Sequence, residues 1–299
     1  MAVLQLERIW RERTATKILR ALDSLPSDLT QTYNDTILRI QSQGEPDGPL
    51  AMRILQWLSY AKRPLLVDEL CHALALEWGD DEELPRDPDR DNVLDPESLI
   101  EVCAGLVIIE EESRVIRLVH FTTEEFFRTL GTSLFPDADK QIYRACVTYL
   151  GFNAFRQQAC AWPSELETRL QDYPFFDYAA RHWGFHLPAN HDRTSEDMAI
   201  GILTDKFALL TMLQTVNPKF DLWRYQSIYQ DMTGLHLAAF TGFHTLVPIL
   251  VKHGIQIDSR DCENMTALSY AAKRGYEEVV HSLLQEGANI ETVDDVGRP

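Results

Sequence analysis

Two histidines with helical spacing are the first residues in this sequence whose arrangement suggests chemistry. His182 and His186 are four residues apart and would share one face of a helix, a geometry that can hold zinc, and His191 follows closely. However, no glutamate follows His182 as in the H-E-x-x-H motif, and no cysteine cluster supplies further ligands. The neighbouring Trp183 and Phe185 indicate packed rings instead. We therefore predict no metal site and no cofactor.

A nucleophile beside a base is the second kind of chemistry to consider. Cys71 precedes His72, and His120 lies further along, but no third partner or oxyanion-hole motif accompanies them. The segment Gly131-Thr-Ser133 continues with leucine and phenylalanine, so it is not a G-x-S-x-G nucleophile elbow. A P-loop needs a Gly-Lys pair, and the sequence contains none. We predict no catalytic residues and no enzyme; a hydrolase with an unrecognised site, sensitive to changes at His182 or Cys71, is an alternative.

The charge of the chain bears on nucleic acids as partners. With 28 basic and 46 acidic residues the net charge is −18, so a polyanion is repelled unless the bases cluster. Residues 77–97 alone carry ten acids, two arginines and three prolines, which predicts a solvated loop. The helix predicted after that loop, at 96–105, contains no Lys or Arg for base or phosphate contacts. We predict no nucleic-acid partner; a winged helix that binds duplex DNA in a salt-dependent way is the second alternative.

Cysteine usage and hydropathy predict the compartment. The five cysteines are scattered without a C-x-x-C pair, which is typical of reduced thiols in a cytosolic or nuclear protein. The segment after Met1 lacks a basic region and an apolar core, so we expect no secretory signal. The longest apolar stretch, 104–109, is far short of the roughly 20 residues that a membrane helix needs. We predict a cytoplasmic protein with no membrane partner.

Hydrophobic periodicity predicts a mainly helical chain. An early stripe from Ile18 to Leu25 is followed by a second helix from Leu29 to Ile40, capped by Ser27 or Asp28. From Leu50 to Thr129 the order is helix, helix, acidic loop, helix and then a hairpin of 107–110 with 115–121, which is the order of a winged helix. Residues 137–228 are again helical, with a helix resuming over 202–213. In their aromatic-rich segment 173–187, the spacing of Phe176, Ala180, Trp183 and Leu187 predicts a core face.

The last seventy residues contain an internal repeat. Thr233-Gly-Leu-His-Leu-Ala-Ala recurs as Thr266-Ala-Leu-Ser-Tyr-Ala-Ala, a shift of 266 − 233 = 33 residues. Small alanines in each copy let paired helices pack closely, Gly242 and Gly275 turn the chain, and Leu250 and Leu283 fill the interface between units. The residues from Asp294 begin a third unit.

These residues resemble ankyrin repeats, whose period is 33 and whose signature is T-P-L-H-x-A. Three positions depart from the pattern. Gly234 and Ala267 replace the proline, Ser269 replaces the histidine, and Pro248 lies in the second helix of the first unit, where it is tolerated only in the first turn. The resemblance implies an α-solenoid that binds a protein partner.

The rest of the chain resembles the part that follows the nucleotide-binding module in fungal NACHT and ankyrin proteins, signalling ATPases related to NOD-like receptors. Leu22-Asp-Ser-Leu-Pro is similar to the last helices of that module. Arg63-Pro-Leu-Leu-Val and Arg117-Leu-Val-His-Phe-Thr-Thr resemble its winged helix, also called the GPI inositol-deacylase winged helix. Leu66 stands where that family often has Thr, which removes a helix cap worth about 1 kcal/mol. Tyr178-Ala-Ala-Arg-His-Trp resembles the helical block that follows.

Together these patterns predict a mainly α chain with a winged helix, a helical connector and an α-solenoid of ankyrin repeats. We divide it into 1–45, a helical tail; 46–134, the winged helix; 135–228, the connector; and 229–299, two ankyrin repeats and the start of a third. The predicted function is non-catalytic protein–protein interaction and regulation in innate-immune-type signalling. The winged helix would pack on a nucleotide-binding module in the same longer chain or in another. The predicted partner-binding residues lie at the ankyrin tips and beside them: Asp231, Met232, Asp261, Cys262, Glu263, Asn264, Lys273 and Arg274.

Overall fold

The computed structural model describes residues 14, 29–76, 87, 89–217, 229 and 231–292. These form two compact units, one from the described residues up to Ala75 with Arg90–Ala138, the other from those of Leu76–Asp89 and from Asp139 onward. Several predicted features lie outside the described residues: the stripe from Ile18 to Leu25, the caps Ser27 and Asp28, most of the acidic loop, connector residues 218–228 and the third repeat from Asp294.

The first unit contains the predicted winged helix preceded by one helix. Its elements are α1 (Leu29–Gln41), α2 (Asp47–Tyr60), β1 (Leu65–Leu66), α3 (Val67–Leu74), a 3-10 turn (Arg90–Asn92), α4 (Pro96–Val102), β2 (Val107–Ile109), β3 (Val115–Leu118), α5 (Phe121–Leu130) and a second 3-10 turn (Gly131–Ser133).

A three-stranded antiparallel sheet organises this unit, in the order β1-β3-β2. Leu65 pairs with Ile116, and Val107 pairs with Leu118, so apolar side chains of all three strands face the core. The predicted hairpin is confirmed, but its second strand ends at Leu118. Phe121 instead begins α5, because the Nδ1 atom of His120 caps that helix by accepting from the Thr122 amide at 3.2 Å.

The missing side-chain cap at Leu66 is partly compensated. The Leu66 amide donates to the Glu69 carboxylate at 2.8 Å, which is one half of a capping box. The same carboxylate is 3% exposed and accepts hydrogen bonds from both terminal nitrogens of Arg63, at 2.7 and 2.8 Å. Glu69 therefore stabilises the start of α3 only while Arg63 balances its buried charge.

Helix α1 confirms the predicted apolar stripe and joins the same core. Tyr33, Ile37 and Ile40 are buried. The Tyr33 hydroxyl also lies 2.7 Å from the Thr122 hydroxyl at the start of α5, so α1 is tied to the winged helix by packing and by a hydrogen bond.

The second unit begins with the helical connector. Its elements are α6 (Ala138–Leu150), α7 (Asn153–Arg156), α8 (Pro163–Asp172), α9 (Phe175–His182), a 3-10 turn (Trp183–His186), α10 (Arg193–Thr204) and α11 (Lys206–Val216). The predicted core face is confirmed, since Phe176, Ala180, Trp183 and Leu187 are all buried. The aromatic segment departs from this at Phe185, which is 43% exposed.

The helix predicted over 202–213 is two helices in the structure. The chain bends by 82° between α10 and α11, because Asp205 leaves the helical conformation and its carboxylate accepts from the amides of Phe207 and Ala208 at 3.1 and 3.0 Å. Among the described residues, no single helix has the length and apolarity to cross a membrane; the bent pair α10 and α11 reaches that limit together, by length and composition alone.

The repeat region forms two helical hairpins, α12 (Gly234–Thr241) with α13 (Leu246–Lys252), and α14 (Ala267–Arg274) with α15 (Glu277–Gln285). Gly242 and Gly275 end the first helices at φ values of 86° and 74°, a left-handed conformation that glycine adopts without strain.

The apolar residues of the repeat behave as the 33-residue register predicts, with one exception. Leu250 and Leu283 are fully buried at equivalent positions, and Pro248 lies in the first turn of α13. Ala238, Ala239 and Ala271 are buried as well, but Ala272 is exposed because α14 has no further repeat covering it among the described residues.

Candidate functional site

A buried histidine joins the two repeat units. His236 lies in the first turn of α12, where its Nδ1 atom accepts from the Thr233 amide at 3.0 Å. Its Nε2 atom donates to the Met265 carbonyl at 3.2 Å, just before α14. These contacts require the neutral ring with the proton on Nε2. Burial lowers the pKa of His236 below its usual value of 6.5.

The second repeat carries Ser269 at the position equivalent to His236. Its hydroxyl lies 3.2 Å from that of Thr266, and its amide donates to the Thr266 hydroxyl at 3.3 Å, which caps α14 locally. A serine side chain is too short to make the long contact that His236 makes, so among the described residues the inter-repeat bond has no counterpart at Ser269.

The loop before α14 is held together by Asp261, one of the predicted partner-binding residues. Its carboxylate is buried and accepts from the amides of Glu263 and Met265, both at 2.9 Å, and from the Tyr270 hydroxyl at 2.5 Å. Burial, and then the Asp261 carboxylate, raise the pKa of the Tyr270 hydroxyl, which therefore remains a donor. Asp261 shapes the tip and does not face a partner.

Met232 requires the same correction. Its side chain is 5% exposed at the start of the first repeat. It therefore packs inside the fold and cannot be the tip contact that its position in the repeat predicts. The exposed members of the predicted set are Asp231, Cys262, Asn264, Lys273 and Arg274, with Glu263 half-buried. We keep these six as the candidate partner surface.

The end of α14 gives this surface a defined shape. The Arg274 guanidinium lies 4.5 Å from the centre of the Phe240 ring and also approaches the Asn217 side-chain oxygen at 3.4 Å. Phe240 in turn packs on Tyr270, with ring centres 4.5 Å apart. Sequence reasoning missed Phe240 and Asn217. The available signal was the repeat register, in which apolar Phe240 occupies the position of charged Lys273.

The histidines that suggested a metal site are engaged by protein groups. His186 is fully buried, with Nδ1 2.7 Å from an Asp139 carboxylate oxygen and Nε2 2.8 Å from the Tyr178 hydroxyl. The half-buried His182 ring packs on the Tyr178 ring at 4.9 Å. Within the part of the chain that the structure describes, no three His, Cys, Asp or Glu side chains are grouped to hold a metal ion.

The buried cysteines Cys71 and Cys103 lack the environment of a nucleophile. Burial, and then the charges of Asp68 and Asp95, raise the pKa of Cys71 to about 12, and burial raises that of Cys103 to about 12. A thiol with such a pKa stays protonated at neutral pH, whereas reactive thiols have lowered values. Burial also lowers the pKa of the adjacent His72.

The pH dependence of stability follows from His236. Its folded pKa is lowered, so below about pH 6.5 the unfolded chain takes up a proton that the folded chain resists. We expect the contribution of His236 to the free energy of unfolding to be constant above that pH and to fall as the pH decreases below it, by up to about 1.4 kcal/mol per pH unit. Urea unfolding at several pH values measures this slope.

His236→Gln is the matched variant, because glutamine can make similar hydrogen bonds without titrating. The slope between about pH 6.5 and 5 should become shallower, and the remainder belongs to groups such as His72. An unchanged slope in this variant would contradict the assignment to His236.

Comparison with known proteins agrees with this architecture. Residues 39–134 match the family of GPI inositol-deacylase winged helix domains, and residues 207–294 match ankyrin repeats, in three copies. The chain therefore contains a winged helix domain of this type and ankyrin repeats, and ankyrin repeats are non-catalytic modules that generally mediate protein–protein interactions. The ankyrin match begins within α11, ahead of the T-x-L-H-x-A-A motif.

A protein of Monascus ruber named "Azaphilone pigments biosynthesis cluster protein L" is 25% identical over 182 residues. The similarity covers 55% of this chain and 36% of that protein, so the chain spans about a third of this relative's length. No solved structure matches the chain.

Proposed function

We propose that this chain is a non-catalytic, cytoplasmic interaction segment of a NACHT-ankyrin signalling protein, divided at the boundaries that the sequence predicts. Its ankyrin repeats bind a protein partner, and its winged helix packs on a nucleotide-binding module in the same longer chain or in another. Neither nucleic acid nor membrane is a partner.

The observation that carries the ankyrin part of this proposal is the surface at the end of α14. Lys273 and Arg274 are exposed at the C-terminal end of α14, where Arg274 is held over the Phe240 ring, and Cys262 and Asn264 are exposed in the loop before that helix. Arginine and aromatic residues contribute most to binding free energy in protein interfaces. Because stacking restrains the guanidinium, less conformational entropy is lost when a partner binds it.

The exposed apolar side chains of the first unit support the proposal that the winged helix packs on a nucleotide-binding module. Leu38 on α1 and Phe121 at the start of α5 are 63% and 67% exposed, and Leu66 before α3 is also exposed. Large apolar groups on a surface favour contact with another protein module. The absence of Lys and Arg from α4 favours a protein over DNA as that partner.

The double charge reversal Lys273→Glu and Arg274→Glu tests the ankyrin surface. We expect a partner that the wild-type chain retains, measured by quantitative mass spectrometry and then by titration with the purified partner, to bind at least about tenfold more weakly. The variant loses the stacked guanidinium and places two acids on the surface. Both side chains are exposed, and a thermal melt checks that the fold is retained without the contacts of Arg274 to Phe240 and Asn217.

Arg193→Glu with Lys206→Glu is the matched control. Both residues are exposed on the connector, and the net charge changes by the same amount. Equal loss of the partner in both double variants would show a general charge effect and contradict the proposed surface.

A further inference from the structure

The first unit contains a cavity that the proposed function does not use. It has a volume of about 290 Å³ and lies between the end of α2 with its following loop, β3 and α5. Four cationic side chains line it, Lys62, Arg63, Arg117 and Arg128, together with the carboxylate of Glu124. In a chain with 46 acidic and 28 basic residues, this is a local reversal of the overall charge.

Two of the cations show which ligand the cavity accepts. Arg63 holds the Glu69 carboxylate with two nitrogens, and Arg117 Nε donates to the Glu110 carboxylate at 2.6 Å. Both arginines remain partly exposed, at 30% and 43% of their side chains. Planar guanidinium groups bind carboxylates in this way with good geometry.

Arg128 offers the cavity hydrogen-bond donors that no described residue occupies. It is exposed in the last turn of α5 and makes no hydrogen bond or ion pair with any residue that the structure describes. Its five N–H groups are therefore available to a ligand that enters the cavity.

The remaining walls distinguish between anionic ligands. Leu58, Ala61 and Pro64 form an apolar base, and all three are at least partly exposed. Four cations face three nearby carboxylates, Glu69, Glu110 and Glu124, so the local excess of positive charge is small. A polyphosphate backbone needs a larger excess, whereas a carboxylate next to an apolar side chain matches both the cationic rim and the apolar base.

We propose that this cavity binds an acidic segment of a protein partner, with Arg128 contacting a Glu or Asp carboxylate and an adjacent apolar side chain packing on the base. The cavity belongs to a different unit from the ankyrin surface. A failure of the cavity to bind an acidic peptide would therefore not affect the proposal for the ankyrin surface. In the same way, a failure of the ankyrin surface to bind a partner would not affect the proposal for the cavity.

Fluorescence anisotropy with the full chain tests this proposal. The probe is a labelled peptide, Gly-Glu-Glu-Leu-Glu-Glu-Leu-Gly, and its comparison peptide has Gln at each Glu. We expect a Kd of about 100 μM for the acidic peptide in low salt, weaker binding as salt is raised, and at least about tenfold weaker binding of the Gln peptide.

Arg128→Glu should weaken the acidic peptide by about tenfold, while Arg128→Lys should stay within about threefold of wild type. Arg193→Glu, a 91% exposed arginine on the connector, is the matched control and should bind as wild type does. Thermal melts of each variant confirm that the fold is retained.

Two outcomes overturn the proposal. One is equal binding of the acidic and Gln peptides, or no binding of either. The other is duplex DNA binding more tightly than the acidic peptide with the same dependence on Arg128, which would assign the cavity to nucleic acid.

Discussion

Gly184→Ala is expected to destabilise the second unit strongly, because an added Cβ atom there meets the Phe243 ring. A Cβ atom at Gly184 would lie 2.4 to 2.7 Å from three carbons of the Phe243 ring, closer than real Cβ contacts allow. Phe243 is itself buried between Trp183 and Phe185, with ring centres 5.6 and 4.9 Å away, so the ring has little room to retreat. Overpacking in such a core costs about 3 kcal/mol, or roughly 6–12 °C in melting temperature.

Gly201→Ala is the matched control for this substitution. Gly201 lies within α10, and a Cβ there meets nothing within 4 Å. The same change of residue should therefore stabilise the helix by about 0.5–1 kcal/mol, because alanine has the higher helix propensity. Thermal and urea unfolding of both variants measure the difference.

A second substitution identifies Phe243 as the cause. Phe243→Leu in the Gly184→Ala background should recover part of the lost stability, although Phe243→Leu alone destabilises the wild type. If Gly184→Ala melts at the wild-type temperature, the close packing between the connector and the first repeat is not present in solution.

Asp261→Ala is expected to lower the free energy of unfolding by about 2–4 kcal/mol. The substitution leaves the Met265 amide and the Tyr270 hydroxyl buried without their acceptor, and the Glu263 amide loses its partner as well. A buried donor without an acceptor costs about 1–3 kcal/mol. Urea unfolding followed by circular dichroism measures the loss.

Cys262→Ser is the control for Asp261→Ala, since Cys262 is the exposed neighbour in the same loop. We expect a change of no more than about 0.5 kcal/mol there. The pair also separates folding from binding, because Asp261 shapes the loop whereas Cys262 belongs to the candidate partner surface. An Asp261→Ala variant as stable as Cys262→Ser would show that the carboxylate is not structural.

Local sequence signals determined most of the architecture. The 33-residue register predicted the two helical hairpins, and the glycines at 242 and 275 predicted where their first helices end, because a left-handed residue and a repeated apolar pattern are encoded within a few turns. The order of helices and hairpin predicted the winged helix in the same way, since each element depends on its own periodicity and turn residues.

The candidate site was only partly predictable. The exposed residues Lys273 and Arg274 follow from their place in the repeat, but the burial of Met232 and Asp261 does not, because it depends on what packs against the tips. Asp261 in particular is a charged residue in a loop, which sequence alone assigns to the surface. Two of its three donors are amides of the same loop, and the third, the Tyr270 hydroxyl, meets it only when α14 has formed.

Tertiary structure alone decided the features with the largest expected consequences. The contact of Gly184 with Phe243 joins residues 59 positions apart (243 − 184), and the cationic cavity brings Arg63, in the loop after α2, together with Arg117 on β3 and Arg128 on α5. No local sequence pattern predicts these tertiary contacts. Composition and periodicity indicate the secondary structure that each segment favours. Close packing and clusters of charge arise only when the elements pack against one another.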